Sequence, residues 1–193
     1  MQTILNANLT DKAVLAVNGL AADGNMFVKK VKQRLEWYRH AHSKDMPLQS
    51  IARMIQTMLY VYNILGGIDE QGVGAVYSFD PVGSYERETC RAAGAAQSLV
   101  QPFLDNQIYF KNQQGDHPAH LPLDHVLSLV TDAFTGTTER HIEVGDGLQM
   151  FVILARGAPV AGLQALPGVR EVGQDAGDGA ERMFIVHREL KRD

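Results

Sequence analysis

Gly67-Ile68-Asp69, followed by Gly74-Ala75-Val76-Tyr77-Ser78-Phe79-Asp80-Pro81-Val82-Gly83-Ser84, is the stretch on which the reading of the fold turns. Residues 74–79 are apolar and aromatic at most positions, and Pro81 with Gly83 marks a turn at their end, so a strand is expected there. Upstream, residues 61–65 form an apolar run that Gly66-Gly67 breaks, which predicts a preceding strand. Downstream, residues 84–90 alternate, with Tyr85, Arg87 and Thr89 on one face and Glu86, Glu88 and Cys90 on the other, as a further strand would.

Helices flank this block of strands. Before it, Ala13-Val14-Leu15-Ala16-Val17 reads as a buried strand closed by Asn18-Gly19. Asp23 then charges the start of a helix in which Val28, Val31, Leu35 and Tyr38 return to one face. Asp45 and Pro47 open a second helix, striped by Ile51, Met54, Ile55 and Met58. After the block, Ala96, Leu99, Val100, Phe103 and Leu104 predict a third helix lying against a sheet. Pro122 and Asp124 open a fourth, with Val126, Leu129, Val130, Ala133 and Phe134 on one side. Two strands, residues 148–154 and 183–190, close the chain. Between them, residues 155–180 are dominated by Gly, Ala and Pro with little periodicity, so residues 155–181 are expected to be a flexible insertion. No repeat is visible, and residues 1–193 are expected to form one domain of layered α+β class.

Composition narrows the function. The chain has 193 residues, 45% hydrophobic and 21% charged, with net charge −4, which suits a globular domain able to bury a core. Basic residues are interspersed with acids, as in Glu86-Arg87-Glu88, so no stripe offers itself to nucleic acid. The apolar runs, such as residues 150–155, fall short of a membrane span of about 20 residues, and residues 1–8 lack a signal-peptide pattern. Cys90 is the one cysteine, so no internal disulfide can form, in keeping with a reducing compartment.

Few residues suggest chemistry by themselves. Gly66-Gly67 and Gly72-x-Gly74 could cradle a phosphate, but no helix follows them, and turn glycines are the better reading. His40 with His42, and Asp116-His117 with His120, have chelating spacings but do not complete a ligand set, so solvated histidines and no metal or other cofactor are expected. Asp69 and Asp80 sit beside Gly and Pro as turn residues do, and the mixed-sign end, Arg188-Glu189-Leu190-Lys191-Arg192-Asp193, reads as a solvated strand end.

The Gly67-Ile68-Asp69 and Asp80-Pro81-Val82-Gly83-Ser84 turns, bracketing their strand, resemble the central strands of proteasome beta subunits. Gln101-Pro102-Phe103-Leu104-Asp105-Asn106-Gln107, Phe110-Lys111-Asn112 and the run from Thr138-Glu139-Arg140 to Gly145-Asp146 are similar to the beta type-1 branch of that family, the sixth position of the ring. The resemblance covers residues 9–154 and resumes at 183–193. It implies the N-terminal nucleophile hydrolase fold, a four-layer sandwich of helices, sheet, sheet and helices. It also implies a place in a seven-membered beta ring that contacts the opposing beta ring and the alpha ring, in cytoplasm and nucleus, serving ubiquitin-dependent protein degradation.

The same resemblance argues against catalysis by this chain. Active members use an N-terminal threonine whose amino group serves as base for its hydroxyl, assisted by an acid and a lysine in the first strands. Thr3 and Thr10 lack the family's surrounding residues, and the chain joins the family pattern only near Leu9-Thr10-Asp11-Lys12. Where active members carry Gly-Ser-Gly-Ser, this chain aligns Gly94-Ala95-Ala96-Gln97, and where they carry Arg-Asp-x-x-Ser-Gly it aligns Arg140-His141-Ile142-Glu143-Val144-Gly145. Ala95, His141 and Val144 thus replace a hydroxyl, an acid and a second hydroxyl, and no catalytic residue is assigned. Two expectations concern the chain's extent. First strands missing from the two sheets should leave exposed edges or an uncovered apolar face. The direct junction of Met58-Leu59-Tyr60 with Val61-Tyr62-Asn63 points to a shortened connection, as in a spliced form or an incomplete gene model. The rival readings are an active threonine-type endopeptidase subunit and a truncated stand-alone derivative.

Overall fold

A computed structural model describes the chain except residues 1, 59–61, 165, 173–180 and 193. Its elements run β1 (Gln2–Thr10), β2 (Ala13–Leu20), α1 (Ala21–His42), α2 (Leu48–Gln56), β3 (Tyr62–Ile68), β4 (Gly74–Phe79) and β5 (Tyr85–Glu88). Then follow α3 (Gln97–Gln107), α4 (Leu123–Thr138), β6 (Gly147–Leu154), α5 (Ala161–Gln164), β7 (Val169–Val172) and β8 (Arg182–Glu189). Strands β1 to β5 form one antiparallel sheet in sequence order, and the second sheet is ordered β6-β8-β7.

Strand alternation decides what each sheet face meets. Ala7, Leu15, Leu65 and Tyr77 stand in one row across β1 to β4 and pack with Phe27, Val31 and Leu35 of α1 and with Leu48, Ile51 and Ile55 of α2. In the second sheet, Leu148, Met150, Val152, Phe184 and Val186 pack against α5 and the apolar side of α4. The remaining faces look at each other, so the layers run helices, sheet, sheet, helices. Helix α1 is held at its ends as a dipole requires, with Asp23 in its first turn and Arg39, His40 and His42 in its last. Its chain reverses at Ser43, where φ is 53° and the N–H donates to Arg39 O at 2.8 Å.

The structure departs from the sequence reading in four places. Strand β1 was not anticipated, because its asparagines hide the alternation that buries Ala7 and Leu9. Gly66-Gly67 does not break the chain; β3 runs through it. A Cβ on Gly67 would lie 2.5 Å from Lys12 O and 2.8 Å from Leu48 Cδ1, so close approach, not a turn, calls for glycine there. Gly72, with φ 78°, is a true turn glycine. Helix α3 rests mainly on α4 instead of on a sheet, with Leu104 as its buried side chain. Residues 155–181 carry α5 and β7, and β7 pairs with β8 and is pinned by Arg182 Nε donating to Glu171 at 2.5 Å. The junction around Tyr60 and Val61 lies outside the described residues.

Candidate functional site

The facing sides of the two sheets do not close on each other. From the first sheet, Asn6, Ala16 and Ile64 stand in one cross-strand row and Asn8, Val14, Gly66 and Val76 in the next. From the second sheet, Gln149, Phe151 and Ile153 of β6 face them. The small and polar side chains of the first set cannot fill the space, and two openings remain: one of about 1130 Å³ beside Val14, Gly66 and Val76, and a cleft of about 720 Å³ roofed by residues of α3 and α4. It wraps the edge of β6, which pairs on its other side with β8 and, among the described residues, with no other strand.

The two altered family motifs meet at this cleft. Ala95, from the loop before α3, and Val144, from the loop after α4, both line it, although they are distant in sequence. His141 is not among the lining residues; its Nδ1 accepts the Glu143 N–H at 3.2 Å, which shapes the loop after α4. Gly145 lies under the chain end, where a Cβ would come within 3.0 Å of Lys191 O.

Polar groups around the cleft divide into committed and uncommitted ones. Arg91 bonds Glu88, and Glu88 Oε2 also accepts Ser78 Oγ at 2.6 Å. Burial works to raise the Glu88 pKa, but the bonds from Arg91 and Ser78 outweigh it and hold the carboxyl below its ordinary value. The loop after Arg91 is tied down by Ala92 N–H donating to Gln101 Oε1 at 2.7 Å, and Gln101 in turn donates to Asp105 at 2.8 Å. That bond, with a second from Lys111, keeps the Asp105 pKa low. Burial, and secondarily Asp105, pushes the Cys90 thiol up, away from nucleophilic thiolate chemistry. By contrast Asn18, only 8% exposed, and Asn8 each hold a side-chain oxygen with no hydrogen-bond donor among the described residues. The sequence reading missed these two, since an asparagine in a strand is conspicuous only once its row is known.

Thr10 is buried, and its Oγ1 accepts the Lys12 N–H at 3.4 Å in the turn between β1 and β2; the Thr3 side chain lies outside the described residues. Asp69 and Asp80 are turn residues, as read: Asp69 Oδ1 accepts from Gln71 and Val73, and Asp80 Oδ1 from Val82 and Ser84. The backbone bond from Val73 and the side-chain bond from Arg87 lower the Asp69 pKa against the opposing effect of burial. His42 packs against Tyr38 with the rings tilted by 43°, and His117 stacks on Phe110, both pairs with centroids 4.3 Å apart. Among the described residues no three His, Cys, Asp or Glu side chains converge as a metal site would need, and no helix is long and apolar enough to cross a membrane.

The chain matches the family model for the proteasome subunit over residues 7–153. It is 48% identical over 164 residues to the proteasome subunit beta type-6 of Saccharomyces cerevisiae, a match covering 76% of this chain and 68% of that protein. It is 43% identical to the proteasome subunit beta type-1-B of Carassius auratus, over 77% of this chain and 66% of the relative. To the beta type-1 subunit of Arabidopsis thaliana it is 36% identical, over 77% and 72%. The layered sheets and helices are those of the N-terminal nucleophile hydrolase fold that goes with this family. By the residues that match, the layers they build and the relatives they resemble, the chain belongs to the proteasome subunit family as a beta subunit of the type-1 branch.

Proposed function

We propose that the chain is an architectural, non-catalytic beta subunit of the proteasome core. It would take a place in a seven-membered beta ring, touch the opposing beta ring and the alpha ring, and help enclose the chamber for ubiquitin-dependent degradation in cytoplasm and nucleus. The single observation that carries this reading is the convergence of Ala95 and Val144 on one cleft. At the two places where the resemblance implies hydroxyl groups, the cleft presents a methyl and an isopropyl group. Neither can orient an amine or relay a proton, so a threonine delivered to this cleft would lack its polar support.

The test is assembly. Tagged chain expressed in cells should co-sediment with the core particle at a stoichiometry matching its neighbours. Sedimentation as a monomer, away from the particle, would contradict the proposal.

A further inference from the structure

We propose that the 720 Å³ cleft is a binding site for a small neutral ligand with an apolar body and an N–H or O–H donor, anchored on the side-chain oxygen of Asn18. The inference does not use the ring-subunit reading. Val100 of α3, with Val126, Val130 and Phe134 of α4, lines the cleft and is only half-buried, as they are, so apolar wall is still open to a ligand. Ala16 and Ala95, also in the lining, are too small to close it. Its volume falls among those of small-molecule sites, roughly 300–1,000 Å³, which combine apolar walls with a few placed polar groups.

Asn18 is such a group. Val17, the residue before it, belongs to the helix-side core, so strand alternation turns Asn18 to the inter-sheet side, where it lines the cleft. The backbone holds it in place, in register with Ile4 of β1 and Tyr62 of β3. The residue is only 8% exposed, and its Oδ1 has no donor among the described residues. A buried acceptor without a donor carries a desolvation cost that a ligand N–H or O–H would relieve. A ligand bearing acceptors alone would leave that cost in place. The charged lining residues favour a neutral ligand. Arg91 is bonded to Glu88, and Glu143 stands exposed on the loop after α4, so no unpaired charge is buried in the cleft among the described residues. An ion entering it would lose hydration with no opposite charge to replace it.

The test titrates the full isolated chain with N-phenyl-1-naphthylamine, a neutral probe that brightens in apolar surroundings and has a single N–H donor. The comparison probe, N-methyl-N-phenyl-1-naphthylamine, keeps the body and lacks the donor. The parent chain should bind the first probe saturably, one per chain, and the second about tenfold more weakly, the ratio expected for one buried hydrogen bond. Asn18→Val removes the unpaired oxygen and should fold at least as well as the parent; in it the two affinities should agree within about twofold. Ala95→Trp sets an indole into the cleft from the exposed loop before α3 and should abolish binding while the thermal melt stays cooperative. Four results each overturn the inference: no saturable binding to the parent, equal affinity of the parent for both probes, a tenfold preference that survives in Asn18→Val, or undiminished binding to folded Ala95→Trp. The two-probe comparison on the parent decides the matter even where a variant fails to fold.

Discussion

The two faces of the five-stranded sheet are built from the same strands and pack in opposite ways. On the helix side, Leu15 and Leu65 are wholly buried against α1 and α2. On the sheet side, one residue along in each strand, Ala16 and Ile64 are half-buried and border an open cleft. A single step in register separates a finished core from an unfinished one, because alternate side chains point to opposite faces. The helix face is a closed core, and the inter-sheet face keeps open space beside half-buried side chains.

Substitutions at neighbouring positions should expose this contrast, most strongly at leucine. Leu65→Ala should destabilise the isolated chain by about 2–5 kcal/mol, as large-to-small changes in packed cores do. Ile64→Ala should cost about 0.5 kcal/mol, since its neighbourhood is already open. Equal losses in chemical denaturation would break the contrast. The paired glycines repeat it on a smaller scale. Gly67→Ala must push its methyl into Lys12 O and Leu48, at a cost of about 1–3 kcal/mol, whereas a Cβ on Gly66 meets nothing within 4 Å and should be near neutral. The sign reverses at Asn18. Its unpartnered oxygen is a cost, so Asn18→Val should raise stability by about 1 kcal/mol, read as a shift in denaturation midpoint; a loss would mean that the oxygen has a donor in solution.

The smallest effect concerns pH and lies outside both faces, in the turn between β3 and β4. The Asp69 pKa is lowered by the Val73 and Gln71 N–H groups and by Arg87. A carboxyl whose folded pKa is depressed contributes stability that is fully present above its unfolded value and fades as pH falls through the folded value. Melting of the parent chain should therefore decline on the acid side of the ordinary carboxylate range, and Asp69→Asn should flatten that decline. Parallel pH profiles would remove Asp69 from the balance.

How legible was this in the sequence? The helices of α1, α2 and α4 announced themselves through apolar spacing, and Asp69 and Asp80 through their Gly and Pro neighbours, because these are local signals. Strand β1 did not, since Asn6 and Asn8 occupy its inter-sheet side and remove the hydrophobic alternation that a closed sandwich would have imposed. Gly67 was misread as a breaker because a close approach of Lys12 and Leu48 is a tertiary fact. Residues 169–172 become a strand only by pairing with β8, which their own composition does not foretell. The site was legible only by comparison: Ala95 and Val144 are unremarkable residues until the motifs they replace are known, and the fold is needed to bring them together.

Intact mass of this chain within purified core particles, after treatment with a mechanism-based reagent for N-terminal threonine nucleophiles, tests the non-catalytic assignment most directly. An architectural subunit should appear at its unmodified mass while catalytic neighbours in the same particles gain the reagent. A reagent adduct on this chain would contradict the assignment.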